Sequence, residues 1–242
     1  MGERDPRIVD EYVRHVEAGD SSIWLVGVVH DHPASVFRVQ AVVDELEPSI
    51  LALELPPMAV PLYRDYARDK EHPPGRGGEM SAAITAADTD FITGIDGPSI
   101  TFGQALLTEL FRSRPTYQTF KSVTTATIRA TKTAVNTRLA GWAAGEHSNR
   151  FYDGSPVSHD IGWDDPPAVQ ASDERRQVQH ARSVMDTLTP SRAATVMDAT
   201  RELHMAKRLW KLGGDGSVVA IIGMGHLDAV TSSLTEFAEE ST

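Results

Sequence analysis

Apolar residues fall along this chain in two rhythms, short unbroken runs and stripes at helical spacing. Residues 218–222, Val-Val-Ala-Ile-Ile, form a run bounded in front by Gly213-Gly214-Asp215-Gly216 and closed by Gly223-Met224-Gly225-His226. Such a run predicts a fully buried strand, and the glycines behind it predict a tight exit that leaves His226 at its C-terminal end. Residues 23–28 repeat the grammar and end in Gly27-Val28-Val29-His30. Two shorter runs, 50–53 and 91–95, end in Glu54 and Asp96.

Helical stripes separate these strands. Val36, Val39, Val42, Val43 and Leu46 mark a helix over 34–46, and Ile8, Val9, Tyr12, Val13 and Val16 predict another over 6–18, stopped by Gly19. Further helices are expected at 56–70, 80–87, 101–111, 168–188, 191–212 and 227–238. Residues 112–145 are rich in Thr and Ala with few large apolar side chains, which reads as a helical excursion or lid, or a dimer contact; 149–167 read as a loop. Strands alternating with helices predict an α/β fold with a mixed, mainly parallel central sheet flanked by helices. The 242 residues are expected to form one domain, with a helical insertion at about 112–190.

Charge and composition narrow the function. Asp and Glu number 34 against 23 Lys and Arg, a formal charge of −11, which argues against nucleic-acid partners because phosphate backbones require clustered cations. Only five of the cations are Lys, and an acidic, Arg-over-Lys composition suggests salt adaptation, where screening removes self-repulsion. There is no Cys, so any metal must be held by His, Asp and Glu. A charged N-terminus and the lack of a long apolar stretch lead us to expect a cytoplasmic protein with no membrane partner.

In a parallel sheet the C-terminal strand ends share one edge, where ligands bind. His30, Glu54, Asp96 and His226 should therefore converge. Two imidazoles with one or two carboxylates suit Mn, Fe, Co or Zn, and such a metal activates water for hydrolysis. From 18 Gly and nine His about one Gly-x-x-His is expected by chance, so the weight lies in two copies, each following a buried strand. The plainer readings are a helix cap or ion pair for Glu54, a turn-forming role for Asp96 and a solvent-facing turn for His32.

The segments IWLVGVVHDHPAS, ILALELPP and VVAIIGMGHLDAV, in this order, resemble the TraB/PrgY family, related to the Tiki and GumN proteins and more distantly to erythromycin esterase. The resemblance covers roughly residues 20–112 and 195–236, and the paired Gly-x-x-His turns with an intervening Glu are its most specific part. It implies a Tiki-like, metal-dependent peptide hydrolase with Mn or Co held by His30, Glu54 and His226. It also draws in Arg201, because TRELHMAKRL is similar to the family's Glu-Arg-Asp-x-x-Met helix, with Thr200 in place of the usual Glu. Asp96 and Thr101 match another family segment in which Gly97 stands where an Arg is usual. Glu54 or Asp96 would serve as general base and Arg201 would stabilise charge. The alternative is a non-catalytic peptide-binding or signalling module that uses the same polar cluster, and either reading allows a homodimer.

Overall fold

The computed structural model describes residues 5–19, 21–69, 72–97, 158–187 and 192–241. The five described strands are β1 (Val13–Ala18), β2 (Ser21–Val28), β3 (Ile50–Leu53), β4 (Ile92–Gly94) and β5 (Val218–Gly223). They form one sheet in the order β1-β2-β5-β3-β4. β2, β5, β3 and β4 are mutually parallel, and β1 is antiparallel to β2 at the edge. The α/β fold with a mixed, mainly parallel sheet is therefore the observed one.

The helices are α1 (Pro33–Leu46), α2 (Val60–Ala67), α3 (Gly78–Ala86), α4 (Pro167–Thr187), α5 (Arg192–Gly213) and α6 (Met224–Glu240). They cover both faces of the sheet. Val218, Ala220 and Ile222 face Met205, Leu209, Leu227 and Val230 of α5 and α6 on one side. Val219 and Ile221 face Val39, Val42 and Val43 of α1 and Met80 and Ala83 of α3 on the other. Successive residues of a strand point to opposite faces, so a central parallel strand covered on both sides must be apolar throughout, as β5 is.

The N-terminal segment departs from expectation. Residues 6–18 do not form a helix: a short 3-10 turn, Asp10–Tyr12, leads directly into β1. Val16 and Ala18 are buried while Glu17 between them is exposed, a period of two that competes with the helical spacing of Val13 and Val16. Gly19, at φ +63°, does not stop a helix but opens the connection that pairs Ala18 with Ser21 across a hairpin.

The exits of the two glycine turns also differ from the sequence reading. Gly223 has an ordinary φ of −57° and α6 begins at the next residue, so His226 sits in the first turn of a helix rather than on the end of a strand. Each glycine serves contact instead of backbone freedom. A Cβ on Gly27 would lie 2.7 Å from Leu227 of α6, and one on Gly223 would lie 3.2 Å from the Glu54 carboxylate. The expected helix at 101–111 and the excursion at 112–145 lie outside the described residues; within the expected insertion, α4 is helical.

Candidate functional site

Three parallel strands and one helix deliver the expected residues to one edge. His30 follows β2, Glu54 follows β3, Asp96 lies two residues beyond β4, and His226 follows β5 in α6. Arg201, on α5, reaches the same edge and joins Glu54, Asp96 and His226, while His30 bonds to Glu79 instead. Its Nε donates to Asp96 Oδ1 at 2.7 Å and its Nη2 to Asp96 Oδ2 at 2.7 Å and to Glu54 Oε1 at 2.6 Å. Its Nη1 meets His226 Nε2 at 3.0 Å. A guanidinium has five N–H groups, so these four bonds leave one Nη1 hydrogen without a partner among the described residues.

Glu54 is held on both oxygens. Oε2 accepts the Gly223 backbone N–H at 2.6 Å, and Oε1 accepts Arg201. The lack of a side chain at Gly223 is what admits the carboxylate to that N–H. Asp96 also accepts the following Gly97 N–H at 2.7 Å, so the turn-forming role and the role at the site coexist.

Both histidines of the glycine turns are oriented through Nδ1 by a carboxylate. His226 Nδ1 meets Glu202 Oε1 at 2.9 Å. Glu202, although next to Arg201 in the chain, therefore serves His226 instead. His30 Nδ1 meets Glu79 Oε1 at 2.6 Å, and Glu79 Oε2 accepts the Asp31 N–H at 2.9 Å. Glu79, the second residue of α3, has a side chain only 3% exposed, whereas the His30 side chain is 66% exposed. The turn that seats Asp31 on Glu79 puts it at φ +56°, and a Cβ on Gly78 would collide with the Asp31 carboxylate.

These contacts set the protonation states. The Glu79 hydrogen bond, opposed by burial and helped by the charges of Glu79, Glu54 and Asp31, raises His30 to about 9. His226 is also raised, by Glu202 first, against burial and the nearby Arg201 charge. An Arg N–H directed at His226 Nε2 requires a lone pair there, so the neutral tautomer with Nδ1–H on Glu202 fits this geometry. Burial opposes the charge on Arg201, but Asp96 and Glu54 outweigh it and the guanidinium is held charged.

His32 behaves differently from its sequence reading. It is fully buried, not solvent-facing. Its Nδ1 accepts the Ala34 N–H at 3.1 Å and so caps α1, while Nε2 faces Asp173 of α4 at 3.4 Å. Burial lowers its pKa, against the Glu174 charge and the Asp173 hydrogen bond.

Arg201 holds both His226 Nε2 and Glu54 Oε1, so in this arrangement neither is open to the divalent metal expected on His30, Glu54 and His226. The carboxylate on each Nδ1 is a partner that a metal-ligating histidine would also have, and the obstacle is the guanidinium, which stands among Glu54, Asp96 and His226 as the compensating cation. Among the described residues no group of three or more His, Asp or Glu side chains could hold a metal ion. Sequence reasoning missed Glu79; its signal was a lone acid at the head of the small, apolar segment Met80-Ser81-Ala82-Ala83.

No helix among the described residues is long and apolar enough to cross a membrane. No protein-family model, curated protein or solved structure matches this chain.

Proposed function

We propose that this sheet edge is the active centre of a hydrolase, with a peptide as the substrate class. The observation that carries the reading is the pair of carboxylate-bound histidines at one sheet edge, His30 on Glu79 and His226 on Glu202, with His226 also against a partly exposed Arg201. Both are raised by a carboxylate at Nδ1, but His226 also meets the Arg201 cation, which opposes its charge, and that difference sets an acid apart from a base. His30, raised to about 9, is protonated at neutral pH and carries its remaining Nε2 proton into solvent, so it serves as general acid. As substrate enters, Arg201 Nη1 turns from His226 Nε2 towards the substrate carbonyl, and the lone pair so released takes a proton from the attacking water. Water oxygen bonds to the carbonyl carbon, Nη1 of Arg201 meets the developing oxyanion, and His30 gives its proton to the departing amine as the C–N bond breaks. Glu54 and Asp96 fix Arg201 instead of acting as bases, since Glu54 is already bonded on both oxygens. The resemblance to the TraB/PrgY family supports a peptide over other acyl substrates.

The transition metal expected from the sequence enters no step of this scheme. The binding-module alternative draws its support from one feature, the saturation of Arg201 by Glu54 and Asp96, which leaves little of its charge for a reaction.

A peptide-library hydrolysis screen with chelator, with Mn and with Co, on wild type and on His30→Gln, His226→Gln and Arg201→Met, tests the reading. Turnover that survives chelator and falls by at least about a hundredfold in each His variant is expected. Turnover that needs added metal, with stoichiometric metal lost from the His variants, would establish the metallohydrolase instead. No turnover under any condition, with peptide retained on the protein, would establish the binding module.

A further inference from the structure

The loop that carries His30 is gripped from a helix far away in sequence. Ser35 Oγ accepts the Val29 N–H at 2.8 Å, one residue before His30, and donates in turn to Glu174 on α4. Glu174 is fully buried and also receives both Nη groups of Arg38, a fully buried arginine of α1. On the other side of the loop, His159 Nε2 lies 2.8 Å from the His30 carbonyl. Gln177 Nε2 of α4 meets His159 Nδ1 at 3.2 Å and Asp173 Oδ2 at 2.8 Å. With Nδ1 accepting from Gln177, the Nε2–H of His159 is free to donate to that carbonyl.

A clamp needed only to hold α4 against α1 would be complete with Arg38 and Glu174. Here the same helix continues through two relays to the Val28–Val29 and His30–Asp31 peptide groups, one before and one after the His30 Cα, while Glu79 takes the imidazole and the Asp31 N–H. We propose that α4 is a positioning element for His30: Glu174 acting through Ser35, and His159 held by Gln177, fix the backbone on either side of the imidazole so that its Nδ1 stays on Glu79. Ser35, Glu174 and His159 are positioning residues on this account, and a short loop with an Asp31 at φ +56° gives them something to hold. Any event that lifts α4 then releases His30, so the helix couples its own docking to the site.

The consequence for catalysis rests on the hydrolase reading, but the test does not. Proton NMR of the full chain reads the His30 Nδ1–H, strongly deshielded by its 2.6 Å bond to Glu79 and identified by its loss in His30→Gln. In Ser35→Ala and in His159→Ala the resonance is expected to be lost to solvent exchange while thermal unfolding stays cooperative. In His159→Gln, whose amide can still donate to the carbonyl, it is expected to persist. Folded Ser35→Ala and His159→Ala proteins that keep the resonance unmoved would overturn the proposal, as would its absence from wild type. If Ser35→Ala does not fold, the His159→Ala and His159→Gln pair decides alone. The expected NMR pattern together with a silent hydrolysis screen would remove the hydrolase reading and leave the coupling standing.

Discussion

Asp96 and Arg201, on opposite sides of the long central stretch of sequence, meet in a two-pronged ion pair, with both Asp96 oxygens 2.7 Å from guanidinium nitrogens. Removing the cation strands two carboxylates, since the Glu54 and Asp96 side chains are only 6% and 11% exposed. Arg201→Met is therefore expected to cost about 3 kcal/mol in urea unfolding. Arg201→Lys keeps the charge but loses the fork and should cost roughly 1–2 kcal/mol.

The Arg38–Glu174 pair should show the asymmetry of buried ions. Both residues are fully buried, so Glu174→Gln alone leaves an uncompensated guanidinium and is expected to cost about 3–5 kcal/mol. The double variant Arg38→Met with Glu174→Leu should recover most of that, and urea denaturation of the set measures the difference. A double variant as unstable as the single one would contradict this account.

His30 and His32 should pull the pH dependence of stability in opposite directions. His30 is raised from 6.5 to about 9, so its contribution is full below about pH 6.5 and is lost as pH rises through about 9. His32 is lowered by burial, so its contribution is full above about pH 6.5 and is lost as pH falls through the folded value. Together they place a stability maximum near the ordinary histidine value. Urea midpoints from pH 5 to 10 should show a shallower alkaline slope in Glu79→Gln, with His226, also raised, keeping its share, and a shallower acid slope in His32→Asn, with His204, also lowered by burial, keeping its share. Slopes unchanged by these substitutions would remove the pair as the source.

Two glycines of the same motif region should respond oppositely to a methyl group. Gly27→Ala places a Cβ 2.7 Å from Leu227 and 3.1 Å from the Met224 sulfur, and is expected to cost about 1–3 kcal/mol. A Cβ on Gly225 would meet nothing within 4 Å, and the residue lies in the first turn of α6, so Gly225→Ala should be neutral or stabilising by about 0.5 kcal/mol. Thermal unfolding of both variants checks the contrast.

Much of the architecture is written in local pattern. The unbroken run of β5 specifies a strand covered on both faces, and the stripe of Val36, Val39, Val42 and Val43 specifies the helix that covers one of them. Strand-end placement of His30, Glu54 and Asp96 follows from the parallel order, because every βα unit returns the chain to the same edge. β1 is not legible in this way, because a segment with Tyr12, Val13 and Val16 satisfies a helical stripe and an alternating strand alike, and only pairing with β2 decides.

What sequence could not determine is which partner each polar group takes. Arg201 became a candidate through resemblance alone, and nothing local to it names Glu54 and Asp96. Glu202 is its neighbour in the chain, yet a helix turns adjacent side chains about 100° apart, so Glu202 serves His226 and Arg201 serves the strands. Glu79 and the chain from Glu174 through Ser35 to Val29 join segments with no shared pattern. Hydrophobic periodicity is a property of one segment and survives in the sequence, whereas a hydrogen bond is directional and short, so its partner exists only once the layers have packed.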